Sequence, residues 1–258
     1  MRVTALHEDV VVVESALWRT SCTLIRDGDE GFVVDSPVLP QELEVLPAVA
    51  EQSGFPVSGL LATHADFDHL LGRLAFPGAA MAVAETTAAR LRAQPGEAQR
   101  QLRELDERFY LERPAPLALG QVETLAVPGY CGLGEHELEL HPTDGHTVDG
   151  MAIWAPWLGL LICGDYLSPI EIPTVGSGIN AYLATLARLE PLLEQAAHVV
   201  AGHGGALSPE RARSILEEDR VYLSELSADG AAAKLPAGRR DAEQRRLHAE
   251  NVARVAPG

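Results

Sequence analysis

Thr63-His64-Ala65-Asp66-Phe67-Asp68-His69 sets two imidazoles and two carboxylates within six positions, directly behind the apolar run Val57-Ser58-Gly59-Leu60-Leu61-Ala62. The run reads as a short buried strand, so the polar cluster falls where a strand empties into a loop, the place where α/β sheets carry their ligands. Alternate residues of an extended segment point the same way, which sends His64, Asp66 and Asp68 toward one centre, and a turn at Asp68-His69 presents His69 beside them. A solvated polar loop is the plain alternative. A lone Asp-His pair would deserve that reading, but this cluster has partners downstream.

Three further elements follow in order: Gly145-His146-Thr147, then Gly164-Asp165 after the apolar Leu158–Cys163, then Gly202-His203-Gly204 after Ala197–Ala201. With these the sequence resembles the metallo-β-lactamase superfamily over nearly its whole length. The usual first motif of that family is His-x-His-x-Asp-His, and here Asp66 stands in place of its second His. The resemblance implies a four-layer αββα sandwich. It also implies that His64, Asp66 and His146 hold one divalent metal, that Asp68, His69 and His203 hold a second, and that Asp165 bridges the two. Asp35, at the end of Phe32-Val33-Val34, sits where the family usually carries an aspartate that hydrogen-bonds a ligand imidazole and fixes its tautomer. Capping of the Ser36-Pro37 turn is the competing role.

Four His and three Asp without cysteine suit hard or borderline divalent ions, and seven ligands are too many for one. Two ions sharing a carboxylate and a hydroxide make a strong nucleophile near neutral pH. The expectation is a dinuclear metal-dependent hydrolase in which the bridging hydroxide attacks an ester, thioester or lactone-type substrate, with Asp68 and Asp165 at the catalytic centre. Tyr166 and Tyr182 are candidates for polarising a substrate oxygen, with simple packing as the alternative. Classical β-lactamase activity is disfavoured, because nothing stands in for the cysteine ligand of the best-known zinc β-lactamases.

Asp66 adds one negative charge to the ligand set, which weakens Lewis acidity and shifts preference from zinc toward manganese or iron. If Asp66 points to solvent instead, a single metal at Asp68, His69 and His203 remains. Flavodiiron proteins of the same superfamily carry an acidic residue at this position, so a diiron oxidoreductase is one alternative. The 55 residues 204–258 are too few for a fused flavodoxin-like domain, so its electrons would come from a separate partner. A non-catalytic metal-binding scaffold is the other alternative.

Twenty basic against 37 acidic residues leave a net charge of −17, a field that repels phosphate backbones and anionic membrane surfaces. The expected partner is therefore a small-molecule substrate, with neither nucleic acid nor membrane; a homodimer is compatible with the sequence. Residues 1–17 lack the basic-then-apolar layout of a secretory signal, and no apolar run reaches the roughly 18 residues of a membrane span. Cys22, Cys131 and Cys163 are odd in number and lack CxxC spacing, so a reducing cytoplasm fits best.

The 258 residues with 47% apolar composition and no linker read as one domain, 1–258. Strands are expected at 9–13, 21–25 and 31–35, with Asp27-Gly28 as a hairpin turn. A helix follows at 41–52, stopped by Gly54-Phe55-Pro56. Residues 85–110 read as a charged helical insertion near the metal loop, broken at Pro95-Gly96. Strands at 120–127 and 135–140 flank a loop at 128–134, and 151–155 and 158–163 read as adjacent strands. Helices are expected at 180–194 and over a C-terminal region, 208–256. There Ser208 caps Pro209–Leu226, and Arg239, Arg240, Arg245 and Arg246 lie on a solvated last helix face. His141 reads as an ordinary strand-end histidine, and Asp144 and Asp149 as turn formers.

Overall fold

Val10, Val11, Val12 and Val13 are all buried, since their strand has an apolar layer against each face. Val10 and Val12 point toward a second sheet, and Val11 and Val13 toward helices. The same alternation runs through Met151–Ala155, whose Ala152 and Trp154 share a core with helices; the computed structural model describes residues 1–255. Residue 256, the end of the expected C-terminal helical region, lies outside the described residues.

The first sheet runs, edge to edge, β1 (Arg2–His7), β2 (Val10–Glu14), β3 (Ser21–Asp27), β4 (Glu30–Asp35), β5 (Gly59–Ala62), β6 (Ala80–Ala84) and β7 (Val122–Leu125). Hairpins make β1 to β4 antiparallel. Helical crossovers make β4 to β7 parallel, because parallel neighbours need a connection long enough to return the chain to the same edge. The helices α1 (Pro40–Gln52), α2 (Gly72–Ala75), α3 (Glu85–Ala93) and α4 (Glu97–Phe109) accompany this half, with Leu43, Leu46, Ala88, Leu102 and Leu105 in the same core as its outer face.

The second sheet has the order β13 (Gly205–Leu207), β12 (His198–Ala201), β11 (Leu160–Ile162), β10 (Met151–Ala155), β9 (His136–Pro142) and β8 (Gly129–Leu133). Its outer face is covered by α5 (Ile179–Gln195), α6 (Pro209–Asp229) and α7 (Ala242–Val255). Between the sheets lies a third apolar layer built from Ile25, Val34, Leu61, Met151, Ile153, Leu160, Ile162 and Val200. The result is the four-layer αββα order expected from the sequence.

Two local expectations need correction, and strands β1 and β6 were not expected. Residues 128–134 are not a loop: β8 pairs with β9 from Gly129 opposite Leu140 to Leu133 opposite His136. Its two glycines and largely exposed side chains hide the period-two pattern from sequence reading. β1 and the alanine-rich β6 escaped it as well, since Ala has low strand preference. Arg239 lies ahead of α7 and is fully buried rather than on a solvated helix face. The Ser208 cap is present, its hydroxyl accepting the Arg211 amide N–H. Among the described residues no helix is long and apolar enough to cross a membrane.

Candidate metal centre

Every candidate ligand lies in or at the end of a loop that follows a strand. β5 leads into the turn carrying His64, Asp66, Asp68 and His69; β9 leads to His146, β11 to Asp165 and β12 to His203. All seven side chains converge. Asp165 is central: its oxygens lie 3.6 Å from His64 Nε2, 3.1 Å from His69 Nε2, 3.3 Å from His146 Nε2 and 3.5 Å from His203 Nε2. Asp66 Oδ2 is 3.5 Å from His64 Nε2 and 3.4 Å from His146 Nε2. Asp68 Oδ2 is 3.4 Å from His203 Nε2 and 3.8 Å from His69 Nε2. Three overlapping groups could each hold a divalent ion: His64 with Asp66 and His146, Asp68 with His69 and His203, and His64 with His69 and Asp165. Asp66 Oδ2 therefore faces the cluster, while the side chain as a whole is half-buried.

The donor set also passes a chemical test for metal. His64 Nε2, His69 Nε2 and Asp165 Oδ1 are buried without a hydrogen-bond partner, a costly arrangement unless a cation satisfies them. The far nitrogens of His203 and His64 are hydrogen-bonded and that of His69 faces a carboxylate, which turns the near ones inward. His203 Nδ1–H donates to the Trp18 carbonyl at 3.0 Å. His69 Nδ1 lies 3.0 Å from Asp35 Oδ2. Thr63 Oγ1 gives its proton to Asp35 Oδ2 at 2.9 Å, so His64 Nδ1, 3.1 Å from Thr63 Oγ1, is the donor to that hydroxyl. Asp35 also accepts the Thr63 amide N–H at 2.8 Å and adopts φ +58°, an uncommon conformation for a residue with a Cβ. Its carboxylate thus holds the ligand turn and the His69 ring together.

Close backbone approach adds a constraint at Gly202. A Cβ there would stand 2.1 Å from Asp165 Oδ1, so any larger residue displaces the central carboxylate.

Electrostatics follow from the crowding. Burial alone would raise the Asp165 carboxyl, but His203, His69, His64 and His146 hold it well below the usual carboxylate range. Burial alone would lower the His69 imidazole, but Asp165, Asp35 and Asp68 hold it well above its ordinary value. His203 is likewise held well above, with Glu171 and Asp165 outweighing burial. These raised values mean that the two imidazoles give up their protons less readily than a free one in the ion-free protein, and a ligand nitrogen must release its proton to bind metal. Metal affinity of chelator-stripped protein is therefore expected to rise as pH goes from 6 to 8, with protons released on loading. Titration calorimetry in buffers of different ionisation enthalpy checks this; a flat affinity and no proton release would contradict it.

Tyr182 lines the small cavity beside His146 and Asp165, and the Tyr166 ring packs against the Tyr182 ring. Both are buried; the Tyr166 hydroxyl accepts the Gly145 and His146 amides at 2.8 and 2.7 Å, and the Tyr182 hydroxyl donates to the Asp165 carbonyl at 3.2 Å. They brace the loops that carry His146 and Asp165. Asp149 is likewise more than a turn former: buried, it accepts the Ala65 amide at 2.9 Å and an Arg90 N–H at 2.8 Å. Asp144 pairs at the surface with Arg188.

Sequence reading also missed Glu171, whose carboxylate lies 3.8 Å from His203 Nδ1 and lines a small cavity with His146, Asp165, Ser168 and Thr174. The signal was one acid between Ile170 and Ile172, soon after a ligand. A larger cavity, lined by Pro40, Leu43, Pro47, Leu74 and Arg113 among others, contains none of these candidate ligands.

Solved structures of similar fold include a metallo-beta-lactamase family protein from Thermus thermophilus, with 20% identity, TM-score 0.67 and coverage of 96% of this chain and 92% of that one. A beta-lactamase domain protein from Burkholderia ambifaria matches at 17% identity and TM-score 0.67, over 97% of this chain and 86% of that one. A metallo-beta-lactamase from Pontibacter korlensis matches at 17% identity and TM-score 0.59, over 84% and 98%. Identities this low speak for the fold alone. A search of curated proteins gave no significant match. The family model described as the metallo-beta-lactamase superfamily matches residues 16–220, and with that span and the two-sheet architecture the chain belongs to this superfamily.

Proposed function

We propose that the protein is a dinuclear metal-dependent hydrolase acting on a small ester, thioester or lactone. The supporting observation is the position of Asp165, whose carboxylate lies within 3.1–3.6 Å of all four imidazoles and so stands between the two outer ligand groups. When bound, two divalent cations supply Lewis acidity toward a substrate oxygen and make hydroxide available near neutral pH. The chain's own residues do the rest. Asp35 and Thr63 orient His69 and His64, Trp18 orients His203, and Tyr166 fixes the His146 loop. Glu171 places a carboxylate on the wall beside Asp165, which disfavours substrates with an anion at that end. Three carboxylates among seven ligands support manganese or iron over the preference of an imidazole-richer set for zinc.

Stripping with chelator is expected to abolish turnover and remetallation to restore it, on a panel of thioesters, lactones, phosphodiesters and β-lactams tested with zinc, manganese and iron. Full turnover by stripped protein on its best substrate would refute the reading.

A further inference from the structure

Helix α3 carries a charged face, but one of its arginines is not spent on solvent. Arg90 Nη2 lies 2.6 Å from Asp66 Oδ1, and Nη1 lies 2.8 Å from Asp149 Oδ1. The other Asp149 oxygen accepts the Ala65 amide N–H at 2.9 Å, and the Asp149 carbonyl accepts the Thr147 hydroxyl at 2.9 Å. One guanidinium thereby joins the turn that carries Asp66 to the loop that carries His146. The remaining Asp66 oxygen, Oδ2, faces His64 Nε2 and His146 Nε2.

We propose that Arg90 is a positioning residue for the metal position formed by His64, Asp66 and His146, taking up Asp66 Oδ1 so that Oδ2 alone is presented to the ion. The inference rests on reading those three side chains as ligands. An imidazole presents one nitrogen in a fixed direction, whereas a carboxylate offers two oxygens and rotates about its last bond. A planar guanidinium fork removes that freedom, since it bonds one oxygen in a fixed plane and its second arm is anchored on a buried carboxylate. Arg90 thus lets the shorter, two-oxygen side chain at position 66 act as a one-atom donor. Without it, Asp66 and the loop joined to its turn through Asp149 must be ordered by the ion itself, at a cost in affinity.

The test uses the full chain, stripped by chelator and titrated with cobalt(II) against a chromophoric competitor, with visible absorption recorded for each equivalent. The native chain is expected to bind two cobalt ions. Arg90→Met is expected to weaken one of them by about tenfold or more, the range set by lost orienting partners, and to alter its absorption, while the other stays within about threefold. Arg90→Lys, which keeps the charge and one donor, is expected to fall between and serves if Arg90→Met does not fold. In an Asp66→His background, which has no carboxylate to hold, adding Arg90→Met is expected to weaken binding by less than about threefold. An equal loss in both backgrounds would make Arg90 a general brace and overturn the inference. Two tight ions with unchanged constants in Arg90→Met would overturn it while leaving the proposed site standing; fewer than two ions on the native chain would overturn both.

Discussion

Asp165→Ala is expected to reduce hydrolytic turnover by more than about 100-fold, beyond the 10–100-fold typical of losing a residue that merely orients a ligand, and to lower metal content below two ions per chain. The magnitude follows from geometry. Among the described residues Asp165 is the carboxylate whose oxygens approach all four imidazoles, so its removal takes a carboxylate from the space between the two outer groups. It also leaves four imidazoles facing one another with Asp66 and Asp68 as the remaining carboxylates of the cluster, and divalent charge is then less well balanced. Asp165→Asn separates charge from shape: it keeps the volume and one oxygen and is expected to retain the fold, with metal content lowered. Metal analysis after gel filtration, beside turnover on the best substrate from the panel, checks both variants. Two retained ions and near-native turnover in Asp165→Ala would remove the bridging role from Asp165 and with it the dinuclear mechanism.

Why the candidate ligands were legible while their supports were not is a matter of range along the chain. His64, Asp68, His69, Asp165 and His203 announce themselves because each sits within a few residues of an apolar strand, where unbalanced polarity is visible locally. The valine run reads correctly for the same reason: a strand buried on both faces must be apolar at every position. Arg90 is different. Glu85, Arg90 and Arg92 share one helix and one composition, yet only Arg90 reaches Asp66 and Asp149, the latter 59 residues further on. Helical periodicity reports which face of an element is buried, not which distant group meets it. The partners of Tyr166 and Tyr182 are hidden in the same way, since their hydroxyls meet backbone amides and a carbonyl that local pattern cannot locate. The Asp66 charge is shared with the Arg90 guanidinium, a partner 24 residues away that a count of carboxylates does not include.

Arg239→Met is expected to lower stability by about 3–5 kcal/mol, the cost of stranding one member of a buried ion pair. At roughly 2–4 °C per kcal/mol for a chain of this size, the midpoint should fall by about 10 °C. Arg239 is fully buried and Asp219 nearly so, and Nη1 lies 2.6 Å from Asp219 Oδ1. The same guanidinium donates to the carbonyls of Ser168 and Glu171, and Gln244 and Asn251 accept the amides of Ile172 and Val175 at 2.8 and 3.1 Å. These C-terminal residues lie beyond the 16–220 family match, yet they hold the backbone of the loop that brings Glu171 to His203. Burial pushes the Asp219 carboxyl up to about 7 even with Arg239 opposing it. A folded-state value above the unfolded one means that the folded chain binds more protons, so this group's contribution falls as pH rises from about 4 toward 7. Removing Arg239 takes away the opposing charge and extends that window upward, so the deficit should be larger at pH 8 than at pH 6. Asp219→Asn combined with Arg239→Met is expected to recover part of the loss, because no charge is then left unpaired. Thermal unfolding at the two pH values measures the deficit, and hydrogen exchange at the Ile172 and Val175 amides reports the loop. A shift under 2 °C with unchanged exchange would show that the buried pair neither stabilises the C-terminal layer nor supports the wall of the metal site.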